Sequence, residues 1–449
     1  MSVERRTSLA VLLAGIGLLA IAAVAAMSTL PFDGIGGDPS SGERSNRASS
    51  VALPSPSASP SMSAGQPTIE PSPPRSAAPT AQPLPPFHEL HVVDPGRLTA
   101  LVDGIQPLGD GRFVAAVNAS NWESMPATGP HGMSGSIHVG SLDGGWQLVD
   151  TGDLFQGVEF KALFKAPDAR FVVYGELEGY DATIGVGFTS TDGRSWEQFY
   201  ELPWASIWDA RLAAGPQGYL AVVNSTDPEH HRQRIRAYRS ADAVTWTLAY
   251  EALETDDHYA YAVGVGSEGY VIAAARYLEE ETQYFTIASS DGDSWITSSD
   301  DQPFVDARTP LFSITAFGPD WVAAGFPAEG QGIPVYFSAN GLDWTHVATI
   351  EDPADREYFG YAAHLVSTDD RLFLSAAFQS EGTESQPAGT WTSTDGRTWS
   401  MLPIGGRTEV RAVVGGGDRI VFGGRVVTVT AENPGASGVI WSADEDWFP

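Results

Sequence analysis

The chain contains no cysteine. That excludes disulfides, thiolate metal sites and a lipid-modified N-terminal cysteine, so any attachment to a membrane must come from the chain itself. Positive charge is scarce as well, with 25 Lys and Arg against 56 Asp and Glu, a net charge of −31. Residues 1–86 hold five residues of each sign, so the whole acidic excess lies in residues 87–449. Such a surface repels phosphate backbones, and no nucleic-acid partner is expected. The charge keeps an exported domain soluble; a cationic partner or bound metal ion is the sharper alternative. No Asp-x-Asp-x-Asp-Gly loop is present, and neither a metal site nor a cofactor is expected.

Glycine (48), proline (31) and tryptophan (13) are abundant in their place. Many glycines and aromatics with few charges suit short strands joined by tight turns. The N-terminus differs from the rest. After a short segment 1–7 carrying Arg5 and Arg6, residues Ser8 to Leu30 are uncharged and rich in Leu, Ala, Ile and Val. About 20 such residues span a bilayer as a helix. With the arginines cytoplasmic, the C-terminal bulk lies outside the cell membrane. The reading adopted is an uncleaved, single-pass transmembrane anchor over 8–30; a signal peptide cleaved near Ala23-Val24-Ala25 is the alternative. Residues 31–86 are a Pro/Ser-rich linker, as in Pro54-Ser55-Pro56-Ser57-Ala58-Ser59-Pro60, with too little apolar surface to offset the entropy of ordering.

From residue 98 a unit of about 50 residues repeats. Its fixed element is clearest at Ser190-Thr191-Asp192-Gly193-Arg194-Ser195-Trp196 and Ser393-Thr394-Asp395-Gly396-Arg397-Thr398-Trp399. Other copies end at Trp146, Trp246, Trp295, Trp344 and Trp447, and the seven tryptophans are spaced by 50, 50, 49, 49, 55 and 48 residues. Asp-Gly supplies a turn needing positive φ, the Ser and Asp side chains bond nearby amides, and Trp packs against the neighbouring unit. Four strands fit each unit, and seven such sheets bury their faces only by stacking into a ring. The chain stops two residues after the last motif Trp, so the seventh sheet lacks an outer strand. Phe87-His88-Glu89-Leu90-His91-Val92-Val93 alternates apolar and polar and is expected to supply it. The expected fold of 87–449 is therefore all-β, a seven-bladed β-propeller of four-stranded blades.

The motif resembles the Asp-box (BNR) repeat of sialidase-like propellers, here in a shortened form, Ser-x-Asp-Gly-x-x-Trp. The resemblance covers residues 87–449. It implies a propeller that is either a binding module or a glycoside hydrolase. A sialidase-like site would need several arginines, a Tyr nucleophile with a supporting Glu, and an acid/base Asp.

Function is expected on the face opposite the Asp-Gly turns, where the longer loops gather. Trp122, Trp204 and Trp208 fall off the repeat there and are candidates to stack on sugar rings or anchor a protein; packing beneath a loop is the alternative. Arg276 and Arg425 end second strands that look equivalent, in Ala274-Ala275-Arg276 and Gly423-Gly424-Arg425, and are candidates to reach the same face. Glu357, Tyr358 and Tyr361 lie near a third position. The acidic loop residues Asp256, Asp257, Glu279, Glu280 and Glu281 and the cluster Glu229-His230-His231 read as solvated rims. The expected role is recognition of an envelope protein or glycan by a membrane-tethered module, with a sialidase-like glycoside hydrolase as the alternative.

Overall fold

A computed structural model describes residues 88–448 apart from 94–98, 121–132, 179–182, 200–201, 205–208, 227–232, 253–256, 279–280, 327–331, 352–358, 380–385, 403, 405–407, 416–417, 430–433 and 446–447. The expected anchor (8–30) and linker (31–86) lie outside these residues. Among the described residues no helix is long and apolar enough to cross a membrane.

Seven four-stranded antiparallel sheets follow one another along the chain. The inner strands of blades 1 to 7 are Thr99–Gly109, Val158–Lys165, Asp209–Gly215, Asp257–Gly266, Leu311–Phe317, Phe359–Ser367 and Thr408–Gly415. Each inner strand touches the next, and that of blade 7 touches that of blade 1, so the ring is closed. Closure is completed as the sequence led one to expect. His88–Val93 pairs antiparallel with Pro434–Asp444 as the outer strand of blade 7, with Glu89 opposite Trp441 and Val92 opposite Val439.

The second strands explain the core. Val271, Ile272, Ala273, Ala274 and Ala275 are consecutive and all buried, as are Leu220 to Val223 and Leu372 to Leu374. A strand covered on both faces by neighbouring blades has no polar side to alternate with. Apolar clusters sit at the seven blade junctions, the last joining Ala100, Val102 and Val117 of blade 1 to Ala412, Val421 and Ile440 of blade 7.

The Ser-x-Asp-Gly turns are held as their residues require. Asp192 Oδ1 accepts the amides of Arg194 and Ser195 at 2.7 Å each, and Asp242, Asp291, Asn340 and Asp395 repeat the arrangement at 2.6–2.9 Å. These amide bonds hold the Asp192 and Asp291 carboxyls low, at about 2. Gly193 sits at φ +69°, where an added Cβ would lie 2.5 Å from Val114 of blade 1. Trp196, Trp295, Trp344 and Trp399 each donate their indole N–H to the turn glycine's carbonyl at 3.1–3.3 Å. In blade 3 Ala243 replaces the glycine at φ +59°, and the Trp246 indole instead reaches Tyr174 Oη of blade 2 at 2.7 Å, whose hydroxyl donates to the Ala243 carbonyl.

Candidate functional site

Six of the seven inner strands carry a slip of one residue in their pairing with the second strand. The extra residues are Asp103, Lys161, Tyr261, Phe312, Tyr361 and Arg411. Blade 3 has no slip, and Arg211 pairs regularly with Val222. A bulge inserts a residue, bends the strand and re-aims its side chain. Each inner strand enters from the face opposite the Ser-x-Asp-Gly turns, so these early bulges lie nearer that upper face.

The bulges anchor one another across blades. Asn118 of blade 1 holds both backbone groups of Phe160, the residue before the blade 2 bulge, at 2.7 and 2.8 Å. Asn224 of blade 3 does the same for Ala260 of blade 4 at 2.8 and 3.0 Å. Ser375 of blade 6 accepts the Val410 amide at 2.8 Å. A side-chain amide satisfies the backbone groups that an interrupted ladder leaves unpaired.

On one side of the ring the side chains are ionic. Glu409 of blade 7 is only 2 % exposed, accepts Arg425 Nε at 2.7 Å, pairs closely with Arg411, and lies 3.5 Å from His364 Nε2 of blade 6. Arg411 Nη1 is 3.2 Å from His364 Nδ1. A guanidinium has no lone pair to offer, so Nδ1 is the acceptor and the ring proton is on Nε2, facing Glu409. His364 is accordingly neutral: burial foremost, with the Arg411 charge, lowers it to about 3. Burial alone would raise Glu409, but Arg411, Arg425 and His364 together outweigh it and hold the carboxyl at about 2.

Asp103 of blade 1 behaves oppositely. Asn118 Nδ2 donates to its Oδ2 at 2.6 Å, yet burial raises the carboxyl to about 6. The charges of Glu409 and Glu159 raise it further, while Arg411 and Asn118 oppose. In blade 2, Lys161 lies between Glu159 at 2.8 Å and Glu176 at 3.3 Å. Arg211 of blade 3 and His364 of blade 6 both lie on the inner strands of their blades, and the Arg211 charge adds slightly to the lowering of His364.

The other side is aromatic. The Tyr261 ring lies 5.0 Å from Tyr259, 5.3 Å from Phe312 of blade 5 and 6.2 Å from Tyr284, and Phe312 lies 5.3 Å from Phe326. Tyr261 and Tyr277 share a hydroxyl bond of 2.6 Å, and Tyr277 is 39 % exposed. Burial and that bond push the Tyr261 hydroxyl up, so it stays neutral. Tyr277 ends its second strand and Phe326 follows its own, both at the upper face. Arg211 Nε donates to the Tyr261 carbonyl at 2.9 Å and joins the two sides.

Of the residues singled out in the sequence, Arg425 belongs to the ionic side. Arg276 does not join it. Arg425 stands opposite Glu409, two residues before its bulge, whereas Arg276 stands opposite His258, three before its own. An odd offset sends the two arginines to opposite faces of their blades, and Arg276 bonds Gln283 instead. Trp204 is 5 % exposed and packs 5.2 Å from Tyr238 and 5.4 Å from Trp246. It is packing beneath a loop, not a platform, because the junction of blades 2 and 3 closes over it. Trp122, Trp208, Glu357, Tyr358, Glu229-His230-His231, Asp256, Glu279 and Glu280 lie outside the described residues. Among the described residues no group of three or more His, Asp and Glu side chains is placed to hold a metal ion.

Asp103, Lys161, His364, Glu409 and Arg411 were not singled out from the sequence. A signal was present: Asp103, Lys161, Arg211, Tyr261, Phe312, Tyr361 and Arg411 recur at intervals of 58, 50, 50, 51, 49 and 50. They are the charged or aromatic side chains set between small or apolar neighbours in each repeat, as in Phe160-Lys161-Ala162 and Val410-Arg411-Ala412.

No family model matches the chain. No curated protein matches it. Among solved structures it is similar to the GH93 α-L-arabinofuranosidase of Fusarium graminearum in complex with arabinobiose (14 % identity, 63 % of this chain and 92 % of that one, TM-score 0.40). It is similar also to a PL25 ulvan lyase bound to -[GlcA(1-4)Rha3S]- (11 %, 79 % and 96 %, TM-score 0.47). A third is the β-propeller domain of the Trilobed protease from Pyrococcus furiosus (9 %, 77 % and 95 %, TM-score 0.45). The propeller assignment itself rests on the strand pairing and ring closure of this chain.

Proposed function

We propose that this chain is a membrane-tethered, outward-facing recognition module that binds a cell-envelope polysaccharide at the upper mouth of its axis. The supporting observation is the division of that mouth into an aromatic side, Tyr259, Tyr261, Tyr277 and Phe312, and an ionic side, Asp103, His364, Glu409, Arg411 and Arg425. Sugar rings offer apolar C–H faces that flat aromatic rings can cover, and hydroxyls that carboxylates and guanidinium groups can bond. The resemblance of the Ser-x-Asp-Gly turns to Asp-box repeats is in keeping with this reading, and the Pro/Ser-rich linker would hold the mouth clear of the membrane.

A glycoside hydrolase is the second reading, favoured by one observation. Two axial carboxyls have been driven apart, Asp103 up to about 6 and Glu409 down to about 2. That separation is what an acid and a permanently ionised partner require. Incubating the full-length protein with envelope glycans and following retention and cleavage by mass spectrometry separates the two. Retention without cleavage, lost in Tyr261→Ala and Phe312→Ala, is expected. Cleavage abolished by Asp103→Asn would establish the hydrolase, and neither retention nor cleavage of any glycan would refute both.

A further inference from the structure

We infer that the polysaccharide bound at this mouth is uncharged, and that carboxylated or sulfated glycans are refused. This deepens the recognition reading and rests on it. The ground is where the axial cations are spent. Arg411 and Arg425 both close on Glu409, Lys161 sits between Glu159 and Glu176, and Arg211 Nε is bonded to the Tyr261 carbonyl. Four cations, Lys161, Arg211, Arg411 and Arg425, thus stand against four carboxyls, Asp103, Glu159, Glu176 and Glu409, leaving no positive surplus among them.

An anionic sugar would have to take an arginine from Glu409. That carboxylate is 2 % exposed and cannot follow its partner into water, so it would be left buried and unpaired. The chain around it carries a net charge of −31, which adds repulsion before contact is made. A neutral sugar meets neither obstacle. Its hydroxyls take the outward lone pairs and N–H groups of the ionic side without breaking an ion pair, and its ring face lies on Tyr261 and Phe312. A sialidase-like clamp, in which arginines are kept available for a carboxylate, is the opposite arrangement.

The test measures binding of the full-length protein to arabinan, galactan and mannan and, in parallel, to polygalacturonate, polysialic acid and dextran sulfate, at two ionic strengths. Retention of at least one neutral polymer is expected, about tenfold or more above any anionic one. It should be insensitive to salt and lost in Tyr261→Ala. Residual anionic binding should weaken as salt is lowered, because repulsion is then less screened. Anionic binding equal to or above neutral, strengthening at low salt, would overturn the inference and leave polysaccharide recognition standing. Binding of neither class would overturn both. Glu409→Gln removes the carboxylate that occupies the two arginines. In protein shown by its melting curve to be folded, it should raise polygalacturonate binding about tenfold, and no rise would also count against the inference.

Discussion

Replacing Asp103 by Asn should stabilise this protein at neutral pH and leave it unchanged in acid. In the folded state the Asp103 carboxyl titrates at about 6 against 3.8 when unperturbed, because burial and the charges of Glu409 and Glu159 disfavour its ionised form. The folded protein therefore binds a proton more tightly than the unfolded chain. Stability falls as pH rises from about 4 to about 6 and is flat beyond. Two pKa units at about 1.4 kcal/mol each give about 3 kcal/mol, discounted to about 2 because Asp103 keeps some solvent contact. Asparagine keeps the shape and an oxygen for the Asn118 amide, 2.6 Å away, without the charge. With an unfolding entropy of about 2 cal/mol/K per residue over the unit Leu84–Pro449, 2 kcal/mol corresponds to a rise in Tm of about 3 °C. Melting curves of wild type and Asp103→Asn from pH 3.5 to 8 give the difference directly. It should be constant below pH 4, grow between 4 and 6, and level off above. A difference that does not vary with pH, or a variant progressively less stable as pH rises, would show that Arg411 holds Asp103 ionised and would refute the reasoning.

Glu409→Ala leaves Arg411 and Arg425 beside each other without their carboxylate and should cost about 3–5 kcal/mol in a denaturant titration. In wild type the same carboxyl, held at about 2, contributes stability above pH 4.5 that is lost as pH falls toward 2, a limb that Glu409→Gln should lack. Closure of the ring should also weaken in acid. His91 of the closing strand lies 3.1 Å from His138 of blade 1 and stacks on Trp146, and burial foremost, with the His91 charge, lowers His138 to about 4. Both rings are neutral in the fold, so their contribution is full above pH 6.5 and lost progressively down to about pH 4. Deletion of residues 87–93 should lower Tm sharply and abolish that part of the pH dependence; an unchanged melt would refute the closure role. Gly193→Ala forces a left-handed alanine against Val114 of the neighbouring blade and should cost about 2–4 kcal/mol, read from the shift in the denaturation midpoint.

Much of the architecture was legible without coordinates. The Ser-x-Asp-Gly-x-x-Trp turns are local: each is made by side chains bonding amides two or three residues away, so residue order alone specifies them. Their spacing counts the blades, and the alternation of residues 87–93, with no partner in their own repeat, points to the closing strand that pairs with Pro434–Asp444. Strand limits were less legible. The inner strand of blade 4 runs from Asp257 to Gly266, and the bulge at Tyr261 breaks the alternation by which its first half could be recognised.

The candidate site was decided by the ring. Asp103 and Glu409 are 306 residues apart in the chain, and their inner strands lie side by side only because blade 7 closes on blade 1. The parity of each second strand against its bulge put Arg425 on the axis and turned Arg276 away, and no reading of Ala275-Arg276 beside Gly424-Arg425 contains that information. Trp204 looked like a loop aromatic for the same reason: what covers it belongs to Tyr238 and Trp246 of the next blade. Hydrogen bonds that close within a turn are written in consecutive residues, and the repeat makes them visible seven times over. Which side chains share the axis depends on strand register and ring closure, and these are settled only when all seven blades pack together.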